Sequence, residues 1–449
     1  MAKTDQSPDA AALQHLEINV QKNEGVRYTS ALHREHWFPQ AGLGMFIHWG
    51  LSSLGGNHDL SWSMIRDTRY DSDQKNENKL KPTDYFNLAQ SFNASDYNPR
   101  KWLKAAKEAG FEYAVLTTKH HDGFALWPSE YGDFNTKNYL QGRNLVQEFV
   151  DACHENNLRV GFYYSPPDWR YERNYRSWGY RTAGTKESPH LDVNWEPILT
   201  LPQKPDDYQK NFAAYINGQI HELLTRFGKV DYLWFDGSEG DQIVSLEEIK
   251  KIQPEIIIND RQHGYGDVVT CHYECKLPEN RPDHFWEHCF VMNNSFGVWS
   301  YVKREDGQPT SVLLSHLAIT RSWNGNVLAN YGPLPSGEMS ENFYRQMKEM
   351  REWNSQNPNC FRGTQGGNYP ENSNTPYALQ ENKILFYLQP DQKGEILYEH
   401  PTINPSIKPT ATLLKGQIPV SCSVENNKII IQVPEKMRTN LMDVIVLSF

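Results

Sequence analysis

From about Trp37 to Ser355, short β-branched or aromatic runs alternate with helical stretches, and this alternation constrains the fold more than any other feature of the chain. Strands separated by helix-length segments pair in parallel, and a parallel sheet needs helices to cover its faces. The runs GLGMFIHW (42–49), YAVLTT (113–118), RVGFYYS (159–165), VDYLWF (230–235), EIIIND (255–260) and NVLANYG (326–332) are predicted strands. Between them PRKWLKAAKEAG (99–110), LVQEFVDACHENN (145–157) and YQKNFAAYINGQIHELLTRFG (208–228) are predicted helices. In the last, Phe212, Tyr215, Ile216, Ile220, Leu223 and Leu224 make a helical apolar stripe that Gly228 stops. After Gly363, clusters of Gly, Asn and Pro separate the alternating runs KILFYLQ, EILYE, KIIIQV and DVIVLSF, a β-sandwich texture. The expected class is α/β, a (β/α)8-like barrel followed by a C-terminal β-sandwich. The expected division is an N-terminal extension over 1–30, the barrel over 31–360 and the sandwich over 361–449. At 449 residues the chain has room for both domains.

The net charge of -10 and pI near 5.9 exclude a nucleic-acid partner, which needs a basic face to displace counterions. Six cysteines, Cys153, Cys271, Cys275, Cys289, Cys360 and Cys422, contain no CxxC pair and read as mostly free thiols. Cys271 and Cys275 with His272 lack the second pair of a zinc site, so no metal is expected. No apolar run approaches the roughly 20 residues of a membrane span, and the first thirty residues carry no apolar signal core. If a signal peptide preceded MAKTDQSP, the protein is periplasmic, secreted or lysosomal; otherwise it is cytoplasmic. No phosphate loop appears and no cofactor is implied. The oligomeric state is not legible.

In a parallel barrel the reactive groups collect where the strands end at their C-terminal edge. Asp236 stands at the end of YLWF, with Trp234 two residues earlier on the same side. An Asp before Gly also starts turns, so a chemical and a turn role are both open there. TTKHHDGFALW places Lys119, His120, His121 and Asp122 after another apolar strand, where they grip a polyhydroxylated ligand or, less simply, a metal. FIHWG ends in His48 and Trp49, and FYYSPPDW carries Tyr163 and Tyr164. Rings that stack on C–H faces, interleaved with directional polar groups, suit a sugar. Segments 166–207 and 261–300 are long, polar and aromatic, and are expected to roof the site.

At these residues the sequence resembles the α-L-fucosidases of glycoside hydrolase family 29. WFPQAGLGMFIHWGLSS, YAVLTTKHHDGFALW and YLWFDG match the family's opening strand, histidine-pair and nucleophile motifs, and IINDRQ, FWEHCFVMNNSFGVW and NGNVLANYGPLPSGEMS follow in the family's order. The resemblance implies a retaining glycosidase acting on a terminal α-linked L-fucose of an oligosaccharide or glycoconjugate, with Asp236 as nucleophile. It also implies that His48, His120, His121, Tyr163, Trp234 and Arg261 line the sugar pocket, with rings from Trp62 and Phe296.

Two departures from the family pattern follow. Ser61 replaces the Glu of a Glu-Trp pair ahead of Trp62, which leaves L-galactose as a related substrate. His272 replaces the Glu that many members use as acid/base. Glu287 is favoured for that role over Glu274, with His272 itself third. The competing readings are a sugar-binding protein with little or no turnover, and a metal-dependent barrel hydrolase built on His120 and His121.

Overall fold

The computed structural model describes residues 32–33, 35–55, 60–66, 79–240, 242–270, 274–295, 297–303, 307–400 and 408–449. The expected extension over 1–30 lies outside them, as do His272 and Phe296 of the expected site and Cys271.

Seven parallel strands form one curled sheet: β1 (Leu43–Ile47), β2 (Tyr113–Lys119), β3 (Arg159–Tyr164), β4 (Tyr232–Phe235), β5 (Ile257–Ile258), β6 (Glu287–Val291) and β7 (Asn326–Tyr331). Their order is β5-β4-β3-β2-β1-β7-β6. The gap between β5 and β6 is filled by Val268 and Val269, which make parallel bridges to Asn259 on one side and Trp286 on the other. The ring therefore closes at eight positions, one of them held only by the bridges of Val268 and Val269. The main helices outside it are α1 (Pro99–Glu108), α2 (Leu145–Glu155), α3 (Tyr208–Thr225), α4 (Leu246–Ile252), α5 (Thr310–Ser322) and α6 (Glu341–Gln356).

Local chemistry sets these elements. Pro99 opens α1 with its fixed φ, Asn144 caps α2 by accepting from Gln147 N, and Ser245 with Glu248 forms a capping box on α4. The two-residue period of the strands sorts side chains into two cores. Phe46, Val115, Tyr163, Trp234, Ile257 and Leu328 point into the barrel. Met45, Ile47, Leu116, Phe162, Tyr164, Leu233 and Val327 pack outward against the helices. Gly44 faces inward, where a Cβ would sit 2.2 Å from the Tyr113 ring. Its lack of a side chain lets that ring lie across the barrel floor.

The segment after α6 forms an eight-stranded antiparallel sheet: β8 (Gln365–Gly366), β9 (Tyr377–Gln380), β10 (Lys383–Leu388), β11 (Ile396–Glu399), β12 (Thr410–Leu413), β13 (Ile418–Glu425), β14 (Lys428–Gln432) and β15 (Asp443–Ser448), in the order β8-β9-β10-β15-β12-β13-β14-β11. It folds over its own core of Ile384, Phe386, Tyr398, Ile429, Ile431 and Ile445. The other face of β10 and β15, through Leu385, Tyr387 and Val444, joins the barrel's outer core. Arg321 of α5, fully buried, ties the two layers by donating to Pro39 O, Gly325 O and Thr364 O.

Segment 261–300 is not one loop, because β6 lies inside it. All five β6 residues are buried, so its sequence EHCFV lacks the polar alternation of a half-exposed strand. Among the described residues no helix is long and apolar enough to cross a membrane.

Candidate active site

Asp236 directly follows β4, and its backbone N–H still bonds Tyr164 O at 3.1 Å, so the strand pairing holds the carboxylate at the barrel mouth. Its Oδ1 accepts from Arg261 Nη1 at 2.8 Å. Its Oδ2 accepts from the Tyr163 hydroxyl at 2.6 Å and lies 3.6 Å from His121 Nε2. Burial alone would push this carboxyl up. The Arg261 guanidinium, His121 and His120, with the Tyr163 hydrogen bond, outweigh burial and hold it well below the usual carboxylate range. Asp236 is therefore an ionised, oriented group. Its side chain keeps 20% of its surface exposed, enough to meet a ligand.

The walls are rings. Tyr163 is stacked between His120, at 5.6 Å between centroids, and Trp234, at 5.5 Å. The Arg261 guanidinium lies 4.4 Å over the Trp234 ring, and Phe46 meets both Trp234 and His48 edge-on. Trp62 stands edge-on to His121 and to Trp169. His48 follows β1 and shares a 2.7 Å hydrogen bond with Asn330 Oδ1 at the end of β7. Burial, with His120 beside it, lowers its pKa to about 3, and burial with His121 lowers that of His120 too. His48 Nδ1 donates to Asn330 Oδ1, which leaves Nε2 as an acceptor for a hydroxyl.

His120 and His121 do not diverge as neighbours in a strand would. The register of β2 shifts between Thr117 and Lys119, the strand ends at Lys119, and in the following turn the two rings come within 4.3 Å of each other beside Asp236. Ser61 closes on His120 Nδ1, and Ser165 Oγ shares a 2.5 Å hydrogen bond with His121 Nδ1. Ser61 thus serves as a holder of His120. Lys119 and Asp122 lie outside the pocket. Lys119, fully buried, pairs with Asp168 at 3.0 Å, and Asp122 accepts from Tyr85 and from Phe124 N. Trp49 and Tyr164 also face outward, stacked on Tyr97 and bonded to Gln219 respectively.

The two candidate acid/base carboxyls occupy different levels. Glu274 bridges Cys289 of β6 and is pinned by the Cys275 N–H donating to Cys289 O at 2.6 Å. Its carboxylate pairs with Arg261 Nη2, the second arm of the guanidinium that holds Asp236. Glu287 opens β6, at the end of the barrel away from the mouth, and is fully buried. It accepts from Tyr113 at 2.5 Å and from Tyr232 and Trp234 Nε1 at 3.1 Å each. It is the barrel floor, one ring below Asp236.

Burial pushes the Glu287 carboxyl from an ordinary 4.5 up to about 7, against three hydrogen bonds that favour its ionised form. Between these values the folded protein keeps a proton that the unfolded chain has released, so stability falls as pH rises from about 4.5 to about 7. Glu287→Gln is expected to remove this part of the slope. Calorimetric midpoints across that window check it, and an unchanged slope would place the titration elsewhere.

His120, His121 and Asp236 bring one ligand atom each within 4.8 Å, the spacing of a metal site. Their other partners argue against one. Both Asp236 oxygens already accept hydrogen bonds, and the Arg261 cation is 2.8 Å from one of them, so a divalent ion would sit against a fixed positive charge. Among the described residues the five cysteines are free thiols.

Asn330, Ser61, Ser165 and Trp169 also belong to the site, and so does Trp299, whose ring lies 5.1 Å from His48. Of these, Ser61 was marked in the sequence as a departure from the family pattern, and Asn330 stands out as an amide in an otherwise apolar strand.

A closed parallel barrel with a carboxylate, a guanidinium and a ring-walled pocket at its strand tips has the plan of a glycoside hydrolase, and this chain is one. A family model described as Alpha-L-fucosidase matches residues 12–359, so the chain belongs to the α-L-fucosidase family. Tissue α-L-fucosidase of Bos taurus is 29% identical over 343 residues, covering 72% of this chain and 67% of that protein. The tissue α-L-fucosidase of Homo sapiens is 26% identical over 408 residues, covering 85% and 81%. Among solved structures, α-L-fucosidase isoenzyme 1 from Paenibacillus thiaminolyticus has a TM-score of 0.72 at 27% identity, covering 92% of this chain and 97% of that one. An α-L-fucosidase from Bacteroides thetaiotaomicron shares the fold, with a TM-score of 0.73 at 22% identity over 95% of this chain and 98% of that one.

Proposed function

We propose that the protein is a retaining exo-α-L-fucosidase in which Asp236 is the nucleophile and Glu274 the acid/base. The observation that carries this reading is the Arg261 fork, one arm on Asp236 and the other on Glu274. Two carboxyls joined to the two arms of one guanidinium are near neighbours, which favours the ~5 Å class of separation that retention uses over the ~6.5–9.5 Å class that admits a water between them. The mechanism needs Glu274 protonated when substrate binds and Asp236 ionised, with the Arg261 charge shared between them. Asp236, held ionised by four neighbours, attacks C1 of the fucoside, and Glu274 gives its proton to the departing glycosidic oxygen. In the second step Glu274 takes a proton from water, which attacks C1 and releases fucose and the free Asp236 carboxylate.

His48, His120 and His121 hold the sugar hydroxyls, Trp62 covers its apolar face, and Trp234, packed against Tyr163 and Arg261, backs the wall. Tyr163 keeps Asp236 aimed. Glu287 is assigned to positioning, since it touches Trp234 from beneath and has no surface at the mouth. The substrate is a terminal α-linked L-fucose on a glycan. L-Galactose, which adds one hydroxyl at C6, presents the same ring configuration, and an aryl α-L-galactoside measures how far the pocket admits it.

Hydrolysis of an aryl α-L-fucoside is the test. Turnover supports the reading, whereas fucose binding without turnover would make the protein a sugar-binding relative. Excess EDTA is expected to leave the rate unchanged. A rate abolished by EDTA and restored by a divalent ion would instead put a metal at His120, His121 and Asp236.

A further inference from the structure

A cleft of about 400 Å³ opens between α3 and the loops that follow β2 and β3, and none of its lining residues belongs to the pocket around Asp236. At its rim the Tyr131 ring rests on Gly218 of α3, where a Cβ would sit 2.3 Å from it, and keeps 42% of its surface exposed. Arg170 and Arg173, both half-buried, line the cleft from the loop after β3. The Arg170 guanidinium lies 5.2 Å over the Phe86 ring and 5.0 Å over that of Phe134, and Arg173 Nη1 donates to Arg170 O at 2.7 Å. Among the described residues neither arginine pairs with a carboxylate. Burial first, and then the Arg170 charge, draw the Arg173 pKa down by more than Asp133 and Asp168 raise it. Two of the three carboxylates on the cleft have other partners, Glu130 with Lys137 at 2.5 Å and Asp168 with Lys119 at 3.0 Å. Asp133 alone is left against two arginines.

Two guanidinium forks on one open wall, each short of a counter-ion, suit an anion of planar or branched oxygens such as a carboxylate or a sulfate. An exposed ring on the same cleft suits the C–H face of a sugar. We propose that this cleft is a second glycan site, which takes an anionic sugar unit: Arg170 and Arg173 hold its carboxylate or sulfate, and the Tyr131 ring stacks on its apolar face. Asp168 is part of the cleft wall, and the next residue, Trp169, stacks on His121 at 5.2 Å between centroids. One loop therefore carries a side of each site. The assignment goes beyond the fucosidase reading and does not need it, since binding in the cleft requires no turnover.

The experiment titrates the full chain by calorimetry with sialyllactose, which carries a carboxylate, with sulfated lactose, and with lactose as the neutral control. An anionic sugar is expected to bind about tenfold or more tightly than lactose, and the tighter of the two names the anion. Arg170→Met, which keeps an apolar stem between Phe86 and Phe134, and Arg173→Gln are each expected to weaken that binding about 10- to 100-fold, the scale of a hydrogen-bonded charge. Tyr131→Ala, at the exposed rim, should weaken it about 2- to 10-fold. All three variants should keep kcat/KM on an aryl α-L-fucoside within about twofold of wild type. No binding of either anionic sugar, lactose bound as tightly as both, or binding indifferent to all three substitutions overturns the site. Should Arg170→Met not fold, Arg173→Gln and Tyr131→Ala decide it. If the wild-type protein leaves the aryl fucoside uncleaved, the fucosidase reading falls and the titration still decides the cleft.

Discussion

Asp236→Asn is expected to lower kcat on an aryl α-L-fucoside by about 10⁴-fold or more, with the thermal midpoint close to wild type. The amide has the shape of the carboxylate: its oxygen still accepts from Arg261, its NH2 can face the Tyr163 oxygen, and Arg261 keeps its bond to Glu274. What the substitution removes is the negative charge that attacks C1. A 10⁴-fold loss corresponds to about 5.5 kcal/mol of transition-state stabilisation, more than one neutral hydrogen bond supplies. Activity within tenfold of wild type would remove Asp236 from the nucleophile's place.

Glu274→Ala is expected to divide substrates by the quality of their leaving group. On a natural fucosylated oligosaccharide, whose alkoxide must be protonated as it departs, kcat/KM should fall about 10²- to 10⁴-fold. On an aryl fucoside with an acidic phenol, kcat/KM should change little, because that ratio reports only the steps through bond cleavage. The second step still lacks its base, so kcat should fall on both substrates. Azide, which attacks without losing a proton, should restore kcat and yield α-L-fucosyl azide. Glu287→Ala should depress both substrates alike and lower the thermal midpoint, since it strands the donors of Tyr113, Tyr232 and Trp234 in a sealed interior. If Glu287→Ala shows the leaving-group asymmetry and Glu274→Ala does not, the two roles are exchanged.

The barrel was legible because its rule is local. A run such as YAVLTT between helical stretches names a buried parallel strand, and β2 extends it by one residue, to Lys119. Strand β6 was not, since EHCFV places a Glu and a His where the pattern calls for branched apolar residues, and its neighbours on the side away from β7 are only the single bridges at Val269 and Glu274. The pocket was legible where a side chain's facing follows from strand period, as for Tyr163, Trp234 and Asp236. It was not where the chain leaves the strand, and His120 and His121 meet because a turn, not a strand, carries them. The depth of a carboxyl along the barrel axis has no sequence signature. Glu287 and Glu274 are equally plain in the sequence, yet one is at the floor and the other at the mouth.

The most direct measurement follows the hydrolysis of an aryl α-L-fucoside by proton NMR and reads the anomer of fucose first released. The α-anomer appearing first, before mutarotation mixes the two, is the result expected of a double displacement through Asp236. The β-anomer first would mean a single displacement by water, and no release of fucose at all would contradict the fucosidase reading itself.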